Sequence, residues 1–153
     1  MQKLGMAVAI SIVALLASVS HHAVTAAGPV TLTATLAGSN SAPPVPSTAT
    51  GSATITVDTA TNTVHYSVQF SGLSSGLTAS HIHVGAAGTN GPIVVPFVIG
   101  TATGQTSGSF SGDNTTAPAA TVAALAANPS GFYVNVHTTT HPGGEVRGQL
   151  GSG

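Results

Sequence analysis

Three histidines, His81, His83 and His137, carry the clearest chemistry in this sequence. They stand in two short segments of β character, Ser80-His81-Ile82-His83-Val84 and Tyr133-Val134-Asn135-Val136-His137. Side chains alternate along a strand, so His81 and His83 share one face and Ile82 takes the other. In the second segment Phe132, Val134 and Val136 share a face, and Tyr133, Asn135 and His137 share the opposite one. With the apolar faces turned inward, three imidazoles lie on outer faces that can meet. Neutral imidazole is a common metal ligand. Three of them suit a copper ion, with zinc as the main competitor.

His141 lies four residues after His137, in a loop that could fold it back as a fourth ligand. An open fourth position favours reactivity, and a filled one favours storage or structure. The same imidazoles also admit a metal-free reading, in which they bond to loop carbonyls and hold one end of the fold together. His65 reads as a solvent-facing strand residue. Glu145 and Arg147 stand at i,i+2. They read as a partly buried ion pair, or as an arginine bonded to backbone carbonyls, with guidance of anions toward a metal as the functional alternative.

Residues 133–137, with their two-residue alternation, belong to a wider pattern of strands. Residues 30–36 alternate cleanly, and Pro43, Pro44 and Pro46 mark the connection that follows as unsuited to a central strand. Ala53, Ile55 and Val57 lead through a turn at 58–62 into Val64, Tyr66, Val68 and Phe70, a predicted hairpin. Residues 93–99 form an apolar run that Pro96 places toward a sheet edge. Thr106, Gly108 and Phe110 suggest another strand, and residues 121–127 a short helix capped by Thr121. Residues 145–150 close the chain as a strand. The expected fold class is all-β, an antiparallel Greek-key-like β-sandwich with at most one short helix.

The composition narrows the function. Met1-Gln2-Lys3 precedes an apolar run over 4–19 and small residues ending in Val24-Thr25-Ala26-Ala27, the pattern of a secretory signal peptide. The run is about 16 residues, shorter than the roughly 20 that a membrane span needs. Residues 1–27 are therefore expected to be removed, leaving one domain over 28–153 that is secreted, periplasmic or at the cell surface, with no membrane insertion. That domain carries one cation, Arg147, against Asp58, Asp113 and Glu145. Nucleic acid and anionic lipid surfaces both call for clustered Lys and Arg, so neither is an expected partner. Cysteine is absent, which excludes disulfides. No Gly-x-Ser-x-Gly, His-Glu-x-x-His or phosphate-loop motif is present, and no catalytic residue is expected.

Four segments are similar to a known family. They are Ala42-Pro43-Pro44-Val45; Ser80-His81-Ile82-His83-Val84-Gly85 with Gly88-Thr89-Asn90-Gly91-Pro92; Tyr133-Val134-Asn135-Val136-His137-Thr138; and Pro142-Gly143-Gly144-Glu145-Val146-Arg147-Gly148-Gln149-Leu150. Together they resemble the CHRD domain, named for chordin and also found in secreted bacterial proteins. That domain is similar in outline to the copper/zinc superoxide dismutase sandwich, where a His-x-His strand and a later Val-His strand end supply copper ligands. The resemblance implies copper ligation by His81, His83 and His137. The chain departs from the dismutases in lacking a cysteine pair and a zinc loop rich in His and Asp. It departs from CHRD sequences in having Ser41-Ala42 where an acidic residue usually precedes the Pro-Pro segment. The expectation is an extracytoplasmic metal-binding or metal-handling protein with a copper ion on His81, His83, His137 and His141. Its alternatives are a metal-free interaction module and a dismutase-like redox enzyme.

Overall fold

The fold is that of a computed structural model, which describes residues 28–153. The expected leader at 1–27 lies outside the described residues. Nine antiparallel strands form one sheet: β1 (Val30–Ala37), β2 (Thr50–Asp58), β3 (Thr63–Ser71), β4 (Leu77–Val84), β5 (Ile93–Pro96), β6 (Gly108–Asn114), β7 (Phe132–Thr138), β8 (Val146–Gln149) and β9 (Gly151–Ser152). Among the described residues a single α-helix, α1 (Ala119–Ala127), joins β6 to β7. The spatial order is β5-β4-β7-β8-β1-β2-β3-β6, with β9 paired to β1. The non-consecutive neighbours β4–β7, β8–β1 and β3–β6 mark the crossovers of a Greek-key-like fold. The sheet curls until it is nearly closed, and its opposing walls enclose the core as the layers of a sandwich would.

Alternation places the core. Leu32 and Leu36 of β1, Ile55 and Val57 of β2, Val64 and Val68 of β3, Ile82 of β4, and Val134 and Val136 of β7 all point inward and are at most 1 % exposed. The intervening Thr31, Thr33, Thr35, Ser52 and Thr54 face solvent. The predicted hairpin pairs in register from Thr50↔Ser71 to Asp58↔Thr63. Its turn is fixed by the Asp58 carboxylate, which accepts from the Ala60 and Thr61 N–H groups.

The unpaired edges, β5 and β6, are joined by side chains. Asn114 Nδ2 donates to the Pro96 carbonyl at 3.1 Å. The Tyr66 ring stacks on Phe97 at 4.1 Å, and its hydroxyl accepts from the Val98 N–H at 2.9 Å. Pro96 does sit on an edge strand. It also ends that strand, so the apolar run divides: Val95 and Phe97 enter the core, whereas Ile93, Pro96 and Val98 face outward. The helix begins at Ala119, two residues before the predicted start. The Pro118 carbonyl accepts from Thr121 and Val122, so Thr121 lies within the first turn and Pro118 takes the cap position.

Glu145, immediately before β8, has no exposed surface. Its carboxylate accepts four hydrogen bonds: from Ser47 Oγ at 2.7 Å, and from the Ser74 N–H, Ser74 Oγ and Thr138 Oγ1 at 2.8 Å each. Burial alone would push its pKa up, but the donors from Ser47, Ser74 and Thr138 outweigh it and hold the carboxyl below the ordinary value. The Ser74 N–H cannot turn away. Glu145→Gln should therefore lower the unfolding free energy by about 3 kcal/mol in urea denaturation, as expected for loss of charge-assisted bonds within a buried network. A loss below about 0.5 kcal/mol, the scale of a surface change, would refute this role.

Candidate metal centre

Strand pairing brings the three histidines together. Antiparallel register sets His81 against Asn135, His83 against Tyr133, and Ala79 against His137. His137 is thus the diagonal neighbour of His81 on one face of the β4–β7 pair, within reach of ring side chains. One ring nitrogen from each of His81, His83 and His137 lies within 4.8 Å of the other two. The shortest separation, His81 Nδ1 to His137 Nε2, is 3.2 Å.

This face is largely covered. All seven residues of β7 are buried, so the strand is covered on both sides. Loop 85–92 and turn 139–144 lie over the outer side and anchor two of the imidazoles. His83 Nδ1 donates to the Gly91 carbonyl and His137 Nδ1 to the Pro142 carbonyl, both at 2.9 Å. A carbonyl can only accept, so both Nδ1 atoms carry the proton and both Nε2 atoms keep a lone pair. His83 is 8 % exposed, and its Nε2 is buried without a hydrogen-bond partner. His81 is less deeply covered.

The electrostatics keep these rings neutral. Burial pushes His81 down from 6.5 to about 4, and the adjacent His137 and His83 add to the effect. Burial also lowers His83 and His137, against the opposing pull of their carbonyl partners. Protons therefore compete weakly for the ligand nitrogens near neutral pH.

The structure does not bring His141 into this group. Its backbone closes turn 139–144: its carbonyl accepts from Thr138 and Gly144, and its N–H donates to Thr138 Oγ1. The side chain lines a groove beside Pro142, Asn135 and the Pro-rich segment. His65 faces solvent and pairs with Asp113 across β3 and β6 at 2.7 Å. Glu145 and Arg147 do not form an ion pair. Among the described residues Glu145 is held by neutral donors, and Arg147 bonds to the Ala86 and Thr89 carbonyls, at 2.9 and 2.8 Å. Arg147 is 1 % exposed, which does not suit it to attract anions from solvent.

The CHRD domain family model matches residues 32–150, most of the chain. The chain belongs to the CHRD domain family. No curated protein and no solved structure matches it.

Within this CHRD domain, strand parity in β7 placed Tyr133 and Asn135 beside His137, and both line the cluster's surroundings. The anchoring carbonyls of Gly91 and Pro142 had no sequence signal, because every residue carries a carbonyl. The three residues fit a small metal ion. Metal–nitrogen bonds of about 2.0–2.1 Å put ligand nitrogens about 3.3–3.6 Å apart, so modest ring rotations would complete the set. The low His81 pKa has a further consequence. Between pH 6.5 and about 4 the unfolded chain binds a proton that the folded ring refuses, so stability falls as pH drops through that window. Melting midpoints should decline from pH 7 to pH 4, and His81→Asn should make the decline shallower. An unaltered slope would count against a neutral, half-buried His81.

Proposed function

We propose that this CHRD domain is an extracytoplasmic copper-binding protein that holds or hands on the ion and has no catalytic role. The observation that carries the reading is the buried Nε2 of His83, which has no hydrogen-bond partner and belongs to a cluster with two further neutral imidazoles. An unsatisfied buried polar atom costs about 1–3 kcal/mol, and a metal ion would remove that cost. The ligands would be His83 Nε2, His137 Nε2 and His81 Nδ1. A bound copper would bring one-electron redox capacity and Lewis acidity to a site whose donors are uncharged. Zinc suits the same nitrogens by ligand type. The extracytoplasmic assignment rests on the residue pattern of 1–27 and on the extracellular setting of CHRD domains.

One observation favours a metal-free network. His81 Nδ1 and His137 Nε2 are at hydrogen-bonding distance. Since His137 Nε2 is the acceptor, His81 Nδ1 would donate. Binding a metal then requires this proton to leave or to move to His81 Nε2.

Copper(II) titration followed by electron paramagnetic resonance separates the two. Metal binding predicts one equivalent bound, with hyperfine structure from several nitrogens, and loss of both in a His81→Ala/His83→Ala/His137→Ala variant. Absence of uptake, or uptake indifferent to the triple substitution, would leave the hydrogen-bonded network as the better account. Metal analysis of protein from its native compartment distinguishes copper from zinc.

A further inference from the structure

The metal reading leaves Arg147 unexplained, although it is the only cation among the described residues and is almost wholly buried. Its guanidinium lies over the Tyr133 ring, with Cζ 3.4 Å from the ring centroid. From the neighbouring strand on the other side, the His83 ring stacks on Tyr133 at 4.9 Å with an interplanar angle of 8°. β7 runs between β4 and β8, so Tyr133 is sandwiched between imidazole and guanidinium.

The same three residues, together with Gln149, grip loop 85–92. Arg147 donates to the Ala86 and Thr89 carbonyls and, at longer range, to Asn90 Oδ1. Gln149 Nε2 donates to the Gly85 carbonyl. At the end of the loop, the Gly91 N–H donates to the Tyr133 hydroxyl and the Gly91 carbonyl accepts from His83 Nδ1. Gly91 sits so close to β4 that a Cβ there would collide with the Val84 carbonyl. The carbonyl that fixes the His83 tautomer is therefore supplied by a loop that Arg147 holds down.

We propose that Arg147 is a positioning residue for His83. It acts through Tyr133 on the ring plane and through loop 85–92 on the Gly91 carbonyl, and so directs His83 Nε2 toward the metal. This rests on the copper-binding reading. The choice of arginine follows from the two tasks combined: a planar fork reaches two carbonyls at once while its face stacks on an aromatic ring, which an ammonium group cannot do. Supporting residues of this kind typically alter metal affinity by 10–100-fold.

The test uses copper(II) titrated against a competing chelator, with paramagnetic resonance spectra of wild type, Arg147→Lys, Tyr133→Phe and His83→Ala. Far-ultraviolet circular dichroism establishes that each variant is folded. Arg147→Lys keeps the charge but loses the fork. It should weaken copper binding by roughly 10–100-fold and change the nitrogen hyperfine pattern toward that of His83→Ala. Tyr133→Phe keeps the stack and frees the Gly91 N–H, and should move both readouts the same way by a smaller amount. It decides the matter if Arg147→Lys does not fold. Wild-type affinity and spectra in the folded variants, alongside a weakened His83→Ala, would overturn the positioning role alone. Failure of the wild type to bind copper would overturn the metal reading and this inference with it.

Discussion

A single buried carboxylate without a countercharge holds the end of the sheet on which His137 stands. Removing a carboxylate from water is costly unless hydrogen bonds replace its hydration. Glu145 receives four such bonds from three separate stretches of chain: Ser47 in the Pro-rich connection, Ser74 before β4, and Thr138 at the end of β7. Those stretches cannot separate without stranding the charge. Thr138 follows His137 directly, and its hydroxyl also accepts from the His141 N–H. The carboxylate therefore fixes the start of the turn whose Pro142 carbonyl orients the His137 ring. With no disulfide available, a satisfied buried charge supplies cross-linking that hydrophobic burial, which is non-directional, does not.

Arg147 plays the matching part at the other side of the cluster. Two residues apart in sequence, Glu145 and Arg147 work on different loops, one the turn that carries Pro142 and the other the loop that carries Gly91. Each carries the carbonyl that holds one imidazole. Two of the domain's four formal charges are therefore used inside the fold, to set backbone acceptors around uncharged imidazoles.

Much of this was legible in the sequence. Two-residue alternation specified β1, the β2–β3 hairpin and the facing of β7, because a one-residue slip would turn every apolar side chain outward. The same parity put His81, His83 and His137 on one side. The length of β5 and the helix start were not legible. Both were decided by proline: Pro96 ended a strand whose apolar pattern continued, and Pro118 began a helix ahead of the residue that looked like its cap. The pairing partners of Glu145 were also hidden. Opposite charges at i,i+2 suggest an ion pair, whereas the actual donors are serines and a threonine from 7 to 98 positions away. The placing of His141 was not legible for a related reason. Its proximity in sequence to His137 suggested a ligand, but the turn takes its backbone groups and leaves the ring in a groove.

The cluster's chemistry turns on one proton. Gly91 and Pro142 settle the tautomers of His83 and His137 and leave no such choice, since a backbone carbonyl offers no donor. His81 has no carbonyl of this kind among its hydrogen-bond partners, and its Nδ1 faces a nitrogen that can only accept. With the proton on Nδ1, the three rings are a hydrogen-bonded network that still strands His83 Nε2. With the proton on His81 Nε2, all three rings contribute a lone pair to the cluster, a repulsive arrangement that a cation would relieve. Under the proposed copper binding, the metal-free network and the metal site would be two protonation isomers of one arrangement, and the cation would select between them.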